Sequence, residues 1–126
     1  MDASITASYA AWKAANLRKS PTFTADAGLL AGQVIADAWH VHFPNPAYAC
    51  VSEGIGYGML ITVLMAGHDA QAKVYFDGLL RTARGRPAHA FLAWGRSEAR
   101  YLHEWRLAST MASAGDGWNA TDGDLD

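Results

Sequence analysis

A chain of 126 residues has room for one modest domain with a single core. Its 51% hydrophobic and 17% charged residues are globular values and exclude a disordered chain. A net charge of −2 argues against nucleic acid as a partner, since phosphate binding requires a basic surface, and no apolar run is long enough to span a membrane. The lone Cys50 cannot close an intrachain disulfide and says little about redox compartment. Met1-Asp2-Ala3-Ser4 has neither the basic start nor the apolar core of a signal peptide, so the sequence displays no export signal and assigns no compartment.

In chain order, residues 4–19 read as an amphipathic helix, with Ile5, Tyr9, Trp12 and Asn16 at helical spacing and Ser20-Pro21 closing it. Tyr9 and Trp12 are expected as core anchors. In residues 21–49, Leu30, Val34 and Ala38 keep helical spacing, Gly28 and Gly32 weaken it, and Pro44 and Pro46 impose an irregular loop. His40 and His42 form a His-x-His pair without the further ligands a metal site needs, so they are expected as solvated loop histidines.

Residues 53–66 follow as a helix apolar on every side, carrying Ile55, Met59, Leu60, Ile61, Val63, Leu64 and Met65. Ser52 is placed to cap it, and Gly67 to end it. Its first turn holds Glu53, with Tyr57 four residues on and so on the same face. Gly54, Gly56 and Gly58 each cost about 1 kcal/mol against alanine in a helix, which implies close approach by something at this turn. A second helix, 70–84, is capped by Asp69; Tyr75, Phe76, Leu79, Leu80 and Ala83 form its apolar stripe and Lys73, Asp77 and Arg81 its wet face. Residues 88–100 read as an irregular insertion and Tyr101–Leu107 as a short extended stretch. There Trp105, flanked by Glu104 and Arg106, suits either a core or a rim position.

Four ordered segments resemble glycoside hydrolase family 8, a family of cellulases, chitosanases, lichenases and xylanases. They are Tyr9-x-x-Trp12-Lys13; Ser52-Glu53-Gly54-Ile55-Gly56-Tyr57-Gly58-Met59; Phe76-Asp77-Gly78-Leu79; and Ala120-Thr121-Asp122-Gly123-Asp124-Leu125-Asp126, the last preceded by Leu102-x-x-Trp105-Arg106. The resemblance implies an all-α fold, the first helices of an (α/α)6 barrel, with residues 1–126 as the N-terminal part of the catalytic domain. It implies an endo-acting enzyme that hydrolyses β-1,4-linked polysaccharide, cellulose or β-glucan first, with inversion, and is a monomer at full length.

In such chemistry a protonated carboxyl serves the leaving oxygen, while a second carboxylate, roughly 6.5–9.5 Å away, activates water. By resemblance Glu53 is the general acid and Asp122 lies at the central sugar subsite, with Asp124 as the other candidate in that motif. Trp105 and Tyr57 are expected to bind sugar. The base would lie beyond Asp126, so the chain alone is expected to be inactive and to leave apolar helix surface uncovered. Asp122-x-Asp124-x-Asp126 imitates the start of a calcium loop, yet its surroundings fit the glycosidase better; no metal and no cofactor is expected. The alternative is a non-catalytic carbohydrate-binding or interaction fragment.

Overall fold

The computed structural model describes residues 1–121 and Asp124. Helix α1 (Ala3–Asn16) is capped by Asp2, whose carboxylate accepts the Ser4 backbone N–H at 2.7 Å. It ends three residues short of the expected position because Leu17 turns extended and buries its side chain. Strand β1 (Leu17–Lys19) then pairs antiparallel with β4 (Trp39–Val41), Leu17 opposite Val41 and Lys19 opposite Trp39.

Between them, β2 (Phe23–Thr24) and β3 (Val34–Ile35) form a second antiparallel pair with Phe23 opposite Ile35. Gly32 turns that hairpin at φ +79°, a left-handed conformation that glycine adopts without a Cβ penalty. The helical spacing of Leu30, Val34 and Ala38 therefore misled: Leu30 closes a 3-10 turn, Val34 is exposed in a strand and Ala38 is buried. β5 (Cys50–Val51) pairs with β6 (Arg106–Leu107) and runs straight into helix α2 (Ser52–Leu64). Helix α3 (Ala72–Gly85), the short α4 (His89–Ala93) and a 3-10 turn at Ser97–Tyr101 complete the order.

The all-α expectation is thus corrected. Among the described residues the chain combines four α-helices with three two-stranded antiparallel sheets, and no (α/α)6 barrel is present. The physical reason lies in the 17–51 connector, where Leu17, Phe23, Ile35 and Cys50 bury themselves from short strands. They join Ala25, Ala38, Ile55, Leu79, Leu107 and Met111 in one core.

α2 and α3 nevertheless pack as an antiparallel hairpin. Ile55 and Met59 share a cleft with Leu80, Ala83 and Arg84, while Thr62 and Ala66 share another with Ala72 and Phe76. β4 wedges against both helices. A Cβ at Gly58 would stand 2.7 Å from Val41 Cγ2 and 3.0 Å from Leu79 Cδ1, and one at Gly78 would collide with the Trp39 ring. Thr82 Oγ1 donates to the Trp39 carbonyl at 2.6 Å and fastens α3 to the same strand.

α1 is held at the turn joining the hairpin. Tyr9 Oη (2.7 Å) and Lys13 Nζ (2.5 Å) both donate to Asp69 Oδ2. Burial pulls the Asp69 carboxyl upward, but these donors and the Gln71 backbone N–H outweigh it and hold it at about 2. Tyr9 is buried, as expected of an anchor, and Trp12 is half-buried beside an apolar groove of about 510 Å³ that α1 forms with Ile61 and Leu64 of α2.

His40 corrects another expectation. It sits buried in β4 rather than in a wet loop, with Nδ1 2.9 Å from Ser20 Oγ, and burial pushes its pKa down to about 4. His42 is exposed.

Candidate active site at the first turn of α2

Because β5 leads directly into α2, the helix begins one residue early, and Val51 occupies the cap position without a side-chain hydrogen bond. Ser52 is the first helical residue instead of the cap. Its backbone N–H donates to the Trp105 carbonyl at 2.9 Å, and its buried hydroxyl oxygen has no partner among the described residues. The turn is thus held by the β5–β6 pair and by the chain just before β6.

A cleft of about 190 Å³ opens over this turn, with Ser52 and Gly56 on one wall, Arg84 on another, and Tyr101, His103 and Asp124 across it. Asp124 is pinned: Oδ1 accepts the His103 backbone N–H at 2.8 Å and Oδ2 accepts Asn119 Nδ2 at 2.5 Å. Four buried polar atoms around the cleft, Ser52 Oγ, Arg84 Nη1 and both His103 ring nitrogens, have no hydrogen-bond partner among the described residues. Burial lowers the His103 pKa to about 4, so the ring is neutral at physiological pH and offers one donor and one acceptor. Unpaired polar groups are costly to bury and suit a ligand rich in hydroxyl groups.

Glu53 stands beside this cleft rather than in its wall. Successive helical residues diverge by about 100°, so Ser52 and Gly56 face the cleft while Glu53 and Tyr57 share the neighbouring face. Glu53 is half-buried and, among the described residues, its carboxylate makes no hydrogen bond; Tyr57 is 55% exposed. Cys50, one turn before, is fully buried, and burial pushes its thiol up to about 12, which leaves it unreactive.

Trp105 is half-buried. Its ring lies 5.9 Å from that of Tyr48, and the Arg106 guanidinium covers it at 4.5 Å. Asp122 lies outside the described residues. The structure therefore brings Asp124 to the first turn of α2, places Trp105 against that turn by its backbone, and sets Glu53 and Tyr57 one face away.

Sequence reading missed Arg84 and His103 as cleft residues. Arg84 is a basic residue in the last turn of α3, an ordinary place for one, and His103 carries no ligand or nucleophile spacing. Their signal is burial without a partner, which only the fold reveals.

No family model matches the chain. It is 48% identical over 75 residues to an endoglucanase of Bacillus sp. (strain KSM-330), covering 60% of this chain and 14% of that protein. It is 33% identical over 126 residues to a beta-glucanase of Niallia circulans, covering 100% of this chain and 25% of that protein. The solved apo structure of a beta-1,3-1,4-glucanase from Paenibacillus sp. X4 superposes with a TM-score of 0.70 at 34% identity, over 97% of this chain and 26% of that one. The chain thus spans about a quarter or less of the length of these relatives.

The assignment to glycoside hydrolase family 8 is corrected by these findings. The relatives carry the names endoglucanase, beta-glucanase and beta-1,3-1,4-glucanase, and this chain, which superposes on part of the last of these, has a mixed helix-and-strand arrangement and not the all-α one that the resemblance implied. What the comparisons support is similarity to glucan-hydrolysing glycosidases, and with it a polysaccharide as the kind of substrate those relatives take.

Proposed function

We propose that this chain is one part of a glucan-hydrolysing glycosidase and contributes a wall of its sugar-binding cleft. The observation that carries the reading is the roughly 190 Å³ cleft at the first turn of α2, where a pinned Asp124 meets four buried polar atoms that have no partner among the described residues. The 97% coverage of this chain by a beta-1,3-1,4-glucanase structure supports the substrate class, a β-linked glucan.

Within it Glu53 serves as the proton donor to the leaving sugar oxygen. Asp124 orients the sugar hydroxyls, with Asp122 beside it in sequence, and Trp105 and Tyr57 offer apolar faces for sugar rings. The second carboxylate that activates water comes from the rest of the enzyme, so the 126-residue chain alone is inactive.

The test compares hydrolysis of mixed-linkage β-glucan and cellulose by this chain and by a version extended to the length of its relatives. Turnover is expected only in the extended form, where Glu53→Gln lowers kcat by about 10³-fold or more and leaves glucan binding intact. Glu53→Gln with kcat retained overturns the acid assignment, and turnover by the short chain overturns the division of carboxylates. The anomer released first decides between inversion, expected above, and retention.

A second reading, carbohydrate binding without catalysis, is favoured by one feature. Trp94, 70% exposed, forms with Phe91 and Trp118 an aromatic cluster of ring centroids 4.7–6.3 Å apart. Glucan retention by this chain on an affinity gel, lost in Trp94→Ala, would support it.

A further inference from the structure

Outside the cleft, a second cluster of polar side chains lies where no ligand spacing in the sequence announced one. Asp26, in the loop after β2, His89, at the start of α4, and Glu104, just before β6, bring one ligand atom each to within 4.8 Å of one another. His89 Nδ1 stands 3.4 Å from Glu104 Oε2 and 3.9 Å from Asp26 Oδ2. Glu104 is fully buried; the Ser113 hydroxyl donates to its Oε1, which leaves Oε2 aimed into the cluster with no hydrogen bond among the described residues. His89 Nδ1 is likewise buried and, among the described residues, without a hydrogen bond, although the ring as a whole is partly exposed. A carboxylate oxygen and an imidazole nitrogen that face each other unpartnered in the interior are costly unless a third group joins them.

We propose that Asp26, His89 and Glu104 bind a divalent cation of the zinc class and thereby staple three separate segments of the chain. A tetrahedral ion with bonds of about 2.1 Å has ligand–ligand edges of about 3.4 Å, the scale of this cluster. One nitrogen and two carboxylates suit zinc, whereas calcium seeks six to eight oxygens. The Ser113 hydroxyl supplies the outer contact that orients a ligating carboxylate. Asp26 and His89 are each partly exposed, which leaves a fourth position open to water.

Arg86 limits the affinity. Its Nη1 lies 3.6 Å from Asp26 Oδ2 and offsets one of the two carboxylate charges. The same Nη1 donates to the Thr24 carbonyl (2.7 Å) and Nε to the Met111 carbonyl (2.5 Å), so the guanidinium is held in place by the main chain. The proposal replaces the expectation of no metal at a place the sequence did not mark.

The experiment titrates chelator-treated 126-residue chain with zinc chloride, reading heat and thermal midpoint. One zinc per chain and a midpoint raised by about 5 °C at saturation are expected. His89→Ala leaves the metal-free midpoint nearly unchanged and weakens zinc binding by about 100-fold; Glu104→Gln, which keeps the side-chain volume, does the same to binding. His42→Ala and His68→Ala, at exposed histidines, bind zinc as the parent does. Absence of binding overturns the proposal, as does binding that survives His89→Ala or a larger midpoint shift with calcium chloride than with zinc.

Discussion

The two helices of the central hairpin bury similar inner faces and present opposite outer ones. α3 turns Lys73, Asp77 and Arg81 to water, Lys73 and Asp77 pairing at 2.5 Å one turn apart. α2 turns out Tyr57, Leu60, Val63 and Leu64, of which Leu64 is 68% exposed. α3 is thus finished by solvent, whereas α2 presents the apolar surface of a helix meant to be covered on all sides. The strand β4 between them explains how α2 folds at all, since Val41 and Trp39 fill the spaces left by Gly58 and Gly78.

The largest effect expected on this arrangement comes from pH. His40, in the wedge strand, and His103 are both held neutral by burial, with pKa values of about 4. Between pH ~6.5 and 4 the unfolded chain binds a proton at each and the folded chain does not. Stability therefore falls as pH drops through that window and levels off below it, by about 2–3 kcal/mol for each histidine. Urea midpoints at pH 7 and pH 4 read the loss, and His40→Gln should remove about half of it. A midpoint indifferent to pH would show that neither ring is buried as described.

Next in size is Gly78→Ala, which drives a methyl into the Trp39 ring and should cost about 1–3 kcal/mol despite the better helix propensity of alanine. If instead it stabilises, β4 is not wedged against α3. The smallest effect sharpens the contrast between outer faces. Leu64→Lys should change the stability of this chain by less than about 0.5 kcal/mol, because the side chain is already in water. A loss of about 2 kcal/mol or more would mean that the outer face of α2 is buried.

The sequence made the hairpin legible because a stripe such as Tyr75, Leu79 and Ala83 repeats at a period only a helix satisfies. The short strands were not legible: Phe23-Thr24 or Val34-Ile35 is too brief to show alternation, and pairing depends on partners about ten or more residues away. Glu104 illustrates the same limit at a site. In sequence it is only a charge flanking Trp105, whose core and rim readings stay open, yet the turn into β6 carries it into the interior, where burial raises its pKa against the pull of Ser113 and His89. Ser52 as a cap was a fair local inference that the strand running into α2 displaced by one residue. For Glu53, Tyr57 and Trp105 the fold adds location, and Asp122 lies outside the described residues.

The 2.9 Å bond from the Ser52 backbone to the Trp105 carbonyl has a mechanical consequence. It fastens the turn that carries Glu53 to the segment that carries Trp105, main chain to main chain. A displacement of the main chain at Trp105 is therefore passed directly to the first turn of α2, and the two segments move as one lever.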